Sequence, residues 1–342
     1  MLLSMSRCSS QRSALAAWAV AVFTILSAVG ANAEGSGPSE RLPTPSTVKA
    51  VAGADFHLYG LAHDLGIFDK YNIKLEETRA TVGGIALVPI IVSGEADTSD
   101  PGVTAPIIAR SKGAKVTAVA ASYSTGGDFD TVRYFVRSDS DIKSAKDLEG
   151  RRVAVANVGA TPDIILTVWL NKNGAASDKV QRIAIPYANQ IDALLNNQVD
   201  AIGVIGVIYS ALEKSPDAQK LRLLFRDRDG LPSDKMLAAY FFTDEFIAKK
   251  PEVIRAFVSA LKETLGWVRD NPAEARAMIA KHYDLKPENV VTPQWPANLC
   301  LDATAAAEWV AALQSVGQVK SDSELESPTS WMTNQFNPDC RQ

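Results

Sequence analysis

Apolar and polar positions along this chain form one pattern that comes twice. Residues 86–103 read ALVPIIVSGEADTSDPGV and residues 191–207 read IDALLNNQVDAIGVIGV. Each copy predicts an apolar helix, a polar turn, an Asp, a short strand-like run, and Gly-Val opening another helix. Asp97 leads to Gly102-Val103, and Asp200 leads to Gly206-Val207. Two similar α/β units in one chain predict two lobes with a cleft between them. Ligands of open α/β sheets sit beyond the carboxyl ends of strands, where helices begin.

The pattern between the copies predicts further elements. Strands are expected at 47–51, 73–79, at Thr98 and at 115–121, with helices at 58–65, 67–71, 84–92 and 103–111. The β-rich run at 131–137 opens a second set. It comprises a helix-like stretch at 141–149, strands at 151–156, 180–185, 201–204 and 221–225, and helices from Thr161, at 188–196 and at 207–214. A β run at 237–243 closes the set. Helices alone follow at 251–270, 272–282 and 303–316, and the tail after Ser321 is polar and aperiodic. The runs at 131–137 and 237–243 bracket the second unit and are read as the crossings between lobes. This gives a discontinuous first lobe, 47–132 with 240–342, and a second lobe, 133–239. Trp169, Trp267 and Trp309 lie on apolar helix faces and are assigned to the core.

The first 33 residues stand apart. Arg7 and Arg12 precede an apolar core at 14–26, ALAAWAVAVFTIL, and Ala31-Asn32-Ala33 is a small-x-small site. This is the pattern of a secretory signal peptide cleaved after Ala33, and its core is shorter than the roughly 20 residues a membrane span needs. Residues 34–46 follow as a Gly/Ser/Pro-rich flexible leader. Without residues 1–33 the chain carries 33 basic and 39 acidic side chains, a formal charge of −6. No basic cluster supports nucleic-acid binding. Cys300 and Cys340 remain; an oxidising compartment favours a disulfide between them, the alternative being one buried and one exposed thiol. His57, His63 and His282 show no metal-ligand spacing with them, and neither a metal nor a cofactor is expected.

Several stretches resemble one known family. Residues 59–76, YGLAHDLGIFDKYNIKLE, resemble the opening of periplasmic substrate-binding proteins of ABC importers, of the nitrate/sulfonate/taurine and thiamine-pyrimidine-precursor type. Gly66-Ile67-Phe68 and Tyr71 match, and Asn72 stands where Gly is usual; Asn tolerates the left-handed turn. Ser93-Gly94-Glu95-Ala96-Asp97 resembles the family's Gly-x-x-Asp turn, and Gln198-Val199-Asp200-Ala201 its counterpart. Residues 144–155, SAKDLEGRRVAV, and the helix at 246–258 also resemble family segments. One departure is Ile205-Gly206-Val207, where many members carry Trp-Glu-Pro. The resemblance implies an α/β, two-lobed type II periplasmic binding fold with extra C-terminal helices. It implies a monomeric, periplasmic, non-enzymatic carrier of a small molecule, partnered by a permease and its ATPase. The rival readings are a sensory ligand-binding module and an enzyme like the pyrimidine-precursor synthases.

Within such a cleft, strand ends that open helices offer unpaired N–H groups to a polar or anionic solute. This places Asn157, Gly159, Ala160 and Thr161 at the site, with Thr161 as N-cap and Pro162 first in its helix. Gly83, Gly84 and Gly102 have the same setting, the alternative for each being an ordinary capping glycine; Gly206 marks the apolar wall of the second lobe. His57 and Tyr59 follow the first strand, Ser122 and Tyr123 end another, and Tyr187 follows a third. Their alternatives are solvent-facing or rim positions. Asp100 either binds a donor or caps the helix beside Pro101. The expected cleft is two-faced, polar at Asp100 and at 157–161, apolar around Gly206.

Overall fold

The computed structural model describes residues 40–340 apart from 54–55, 81–83, 127–129, 232–234, 291, 321–324, 326 and 328–329. The expected signal peptide and cleavage site, the leader as far as residue 39, and Gly83 lie outside the described residues.

Strand β1 (Ser46–Ala52) leads through α1 (Leu58–Asp64) and α2 (Ile67–Lys70) to β2 (Ile73–Arg79). Helices α3 (Gly84–Val92) and α4 (Thr104–Ser111) precede β3 (Val116–Ala121). The chain then runs through β4 (Val132–Arg137), β5 (Arg152–Val155), α5 (Thr161–Lys172), β6 (Gln181–Ala184) and α6 (Tyr187–Leu195). Strand β7 (Ala201–Ile205), α7 (Gly206–Leu212) and β8 (Leu221–Arg226) follow. Helix α8 (Asp227–Gly230) and β9 (Ala239–Thr243) bring it back to α9 (Asp244–Lys249), α10 (Pro251–Asp270), α11 (Pro272–His282) and α12 (Ala303–Ser315).

The two lobes share one topology. The second-lobe sheet has the order β6-β5-β7-β4-β8, with β5 parallel to β6 and β7, and β4 antiparallel to β7 and β8. In the first lobe β1 pairs parallel with β2, and Ala50 bridges Thr98. Ser99 bridges Phe241 of β9, which runs antiparallel to β3. The lane order is therefore β2-β1-(98–99)-β9-β3. Each sheet reads second strand, first, third, then the strand arriving from the other lobe, then fourth. The repeated Asp has the same job in both. Asp97 Oδ2 accepts the Lys49 N–H of β1, and Asp200 Oδ2 accepts the Arg152 N–H of β5, at 2.8 Å in each case.

Burial follows the sequence pattern. The apolar stripe of α10, with Val253, Ile254, Phe257, Leu261 and Leu265, recurs every three or four residues and packs on α1 and on Tyr240 and Phe242 of β9. Removing a fully buried ring such as Phe257 would cost about 3–5 kcal/mol. A larger core joins Ile107 of α4, Ile165 and Trp169 of α5, and Trp309 of α12. Trp267 is only half-buried. Asn72 takes φ +56°, the left-handed turn that its place before β2 requires. Cys300 and Cys340 are joined by a disulfide, with sulfurs 2.07 Å apart.

Three expectations are corrected. Residues 141–149 form no helix beyond a single 3₁₀ turn at Lys146–Leu148. Asp147 Oδ2 instead accepts the N–H groups of Lys143 and Ser144 and the Ser144 hydroxyl, a local arrangement that competes with a helix. The end of the leader is held: Leu42 is buried, its N–H donates to Tyr71 O and its carbonyl accepts from Asn72 Nδ2. The aperiodic tail also packs. Ala118 N donates to Trp331 O and Thr333 N to Ala118 O, so residues 331–333 cover the outer edge of β3, with Trp331 buried.

Candidate functional site

A cavity of about 60 Å³ lies where the two lobes meet. The first lobe lines it with Gly53 and His57 after β1, Gly84, Ile85 and Leu87 at the start of α3, the 100–105 segment without Val103, and Tyr123 after β3. Thr131 lines it just before the crossing into β4, and the second lobe contributes Asn157, the 160–162 segment, Tyr187 and Ile205. The first turns of α3, α4, α5 and α6 therefore reach the cavity wall. Their N–H groups and partial positive charge favour a polar or anionic guest.

Eight of the sequence-selected residues meet here: His57, Gly84, Asp100, Tyr123, Asn157, Ala160, Thr161 and Tyr187. Four others sit elsewhere. Tyr59 is fully buried behind the wall, its ring stacked 5.1 Å from that of His57. Burial, with Asp100 and Glu77 nearby, pushes its phenol well above the usual range, so it stays neutral. Ser122 lies under Asp100 and donates to it. Gly159 has φ +81° and spends its N–H on Asp163 Oδ2, so that group is not offered to a guest. Gly206 opens α7 outside the lining, and the apolar wall there belongs to Ile205. Thr161 is not the cap of its helix. Ala160 holds that place, and the Thr161 hydroxyl shares a 2.9 Å hydrogen bond with Thr104.

Sequence reasoning did not select Thr104 or Thr131. Thr104 follows the Gly-Val of the first repeat, where the second has Ile208, and that polar-for-apolar difference was the available signal.

The charged centre is a buried triad of side chains. His57 Nδ1 lies 2.5 Å from Asp100 Oδ1, and the Ser122 hydroxyl donates to Asp100 Oδ2 at 2.6 Å. The His57 backbone N–H donates to Tyr283 Oη at 3.1 Å, which ties the loop after β1 to the end of α11. Burial raises the Tyr283 phenol as well, keeping it neutral. No lysine or arginine is among the described lining residues. The arrangement differs from a hydrolytic triad, in which the imidazole bridges acid and nucleophile. Here Asp100 is the bridge, and both His57 and Ser122 turn to it. Among the described residues no cluster of three His, Cys, Asp or Glu side chains is placed to hold a metal.

Comparison with known proteins agrees with this architecture. A protein of Brucella abortus (strain 2308), named as a binding protein, is 24% identical over 233 residues, 68% of this chain and 69% of its own length. The alkanesulfonate-binding protein of Xanthomonas axonopodis pv. citri, bound to MOPS, superposes with a TM-score of 0.70 at 18% identity. That match covers 85% of this chain and all of the other. A desulfurization enzyme matches at TM-score 0.63 and 16% identity, over 86% of this chain and 98% of its own. The two-lobed periplasmic binding protein fold thus carries both binders and an enzyme. A family model described as NMT1/THI5 like matches residues 54–275, and the chain belongs to that family.

Proposed function

We propose that the protein is an exported solute-binding protein, which encloses a small polar or anionic organic solute between its lobes and delivers it to an ABC import permease. The observation that carries this reading is a cavity lined from both lobes, each lobe built on the same sheet order. Motion of one lobe against the other opens and seals such a cavity. The N-terminal signal pattern supports delivery to the periplasm. We take the lobes as 47–132 with 240–342, and 133–239, hinged at the crossings that enter β4 and β9.

Solute contacts are assigned to His57, Asp100, Tyr123, Asn157, Thr161 and Tyr187, with the backbone N–H group at Gly84; Ala160 forms wall, its own N–H being donated to Asn157 O. The cavity of about 60 Å³ exceeds the roughly 10–15 Å³ that a single water needs, so it has space for a guest. A sulfonate, an aromatic carboxylate or a pyrimidine-like ring each suits helix N-termini beside two tyrosines. The Asp100-centred hydrogen bonds support binding over hydrolysis, because the Ser122 hydroxyl lies behind the lining, bonded to Asp100, and makes no hydrogen bond to the His57 imidazole.

A thermal-shift screen against alkanesulfonates, aromatic acids and pyrimidines tests the reading, since a solute that binds only the native state raises its stability. A concentration-dependent rise for one class, with a smaller radius of gyration in scattering, is the expected result. No shift across the panel, or turnover of a compound in it, would overturn the assignment.

A further inference from the structure

We propose that Gly102 is a closure residue: its missing side chain lets the lobes meet, and the Thr104–Thr161 hydroxyl bridge is the latch that holds them. The inference deepens the solute-binding reading and rests on it for its purpose.

Gly102 precedes α4 in the first lobe, and Thr161 is the first residue of α5 in the second. A β-carbon built on Gly102 falls 2.1 Å from Thr161 Oγ1 and 2.9 Å from Thr161 Cβ. Both are closer than real β-carbon contacts, so one lobe would have to move. The next contact, Leu237 O, is 3.6 Å away, an ordinary van der Waals distance. The backbone of Gly102 is outside the left-handed region, so alanine brings no conformational strain there. The conflict is thus wholly with the opposite lobe. An alanine fits the first lobe by itself and is excluded only when the lobes close.

The latch sits beside that contact. Thr104 and Thr161 are both buried, and their hydroxyls are each other's partner across the cleft. A hydroxyl pair sealed from water contributes little net stability, but parting it while it stays dry costs more. Such a contact suits a door that is held shut weakly and reversibly. Gly102, Thr104 and Thr161 all line the cavity, so the contact forms part of its wall.

Cross-linking measures closure without any solute. In the full chain carrying T104C and T161C, mild oxidation is expected to form a second disulfide beside Cys300–Cys340, read by non-reducing gel mobility and peptide mapping. Adding Gly102→Ala is expected to slow that cross-link at least tenfold, while the melting temperature of the reduced protein stays within about two degrees of its parent. Equal cross-linking rates with and without G102A would overturn the proposal, as would absence of the cross-link in both. A lowered melting temperature in G102A would overturn it too, by making Gly102 a residue of the first-lobe core. Because no solute enters the assay, a failed solute screen leaves its outcome unaffected.

Discussion

Arg228 divides itself between two buried acids. Its guanidinium Nε bonds Asp130 at 2.5 Å, while its backbone N–H bonds Asp227 Oδ1 at 2.7 Å. Asp130 also takes the Arg133 guanidinium at 2.6 Å. Asp227 receives the backbone N–H groups of Arg228 and, at 2.7 Å, of Thr131. Both acids lie where the chain enters and leaves the second lobe.

This division predicts a pH dependence. Burial, with Asp130 as a further cause, pushes the Asp227 carboxyl up to about 6. A carboxyl raised in the folded state favours the fold while protonated, and that contribution is lost as pH rises through about 6. The shift is roughly two units, or roughly 3 kcal/mol between pH 4 and pH 7. Urea unfolding at pH 5 and pH 7 should show part of this slope in the wild type and less of it in D227N. The same slope in both proteins would remove Asp227 as its source.

Asp100 organises the candidate site from beneath. Asp100→Ala would leave two buried donors, His57 Nδ1–H and the Ser122 hydroxyl, without their acceptor. The expected loss is roughly 3 kcal/mol of unfolding free energy, with a smaller loss for S122A, which removes one donor and leaves the His57–Asp100 hydrogen bond. Chemical denaturation of both variants gives the comparison. A D100A protein as stable as the wild type would mean that the three side chains are not coupled as described.

Reducing the Cys300–Cys340 bond should matter because it closes a 40-residue separation that contains α12 and the strand-covering tail. Loop-closure entropy puts the loss at about 3–4 kcal/mol. Melting with and without dithiothreitol should show the drop in the wild type and none in C300S/C340S.

The twin clamps at Asp97 and Asp200 should both matter, Asp200 somewhat more because it also takes the Arg152 guanidinium. Alanine at either position frees one backbone N–H of a first strand, at about 1–2 kcal/mol each. The double variant should lose close to the sum, since the two lie in separate sheets. Marked non-additivity in urea titrations would show that the lobes unfold as one coupled unit through these positions.

Much of this was legible in the sequence. The repeat around Asp97 and Asp200 marked two equivalent lobes because a turn, an Asp and a helix start leave a fixed local spacing. What was not legible is long-range. His57 and Asp100 are 43 positions apart, and nothing in either neighbourhood states that they touch. Gly159 read as an open anion site, yet Asp163 four residues on takes its N–H. Thr161 read as a cap because threonine usually caps; a partner on the other lobe redirected its hydroxyl. The lane positions of β4 and β9 also escaped local pattern, since periodicity reports a strand but not its neighbours.

One of those lanes constrains how the chain is made. Strand β9 comes last among the described strands, yet its lane lies between residues 98–99 and β3, laid down more than a hundred residues earlier. The second-lobe sheet, by contrast, is contiguous from β4 to β8. A chain emerging from its N-terminus therefore has every strand of the second lobe in hand while the first still holds an empty lane. Until residue 243 has cleared the ribosome or the export channel, the N-terminal half stays an unclosed sheet, suited to being threaded and recognised as unfolded. Truncations ending before Ala239 should leave β1–β3 sensitive to protease while 132–226 resists it.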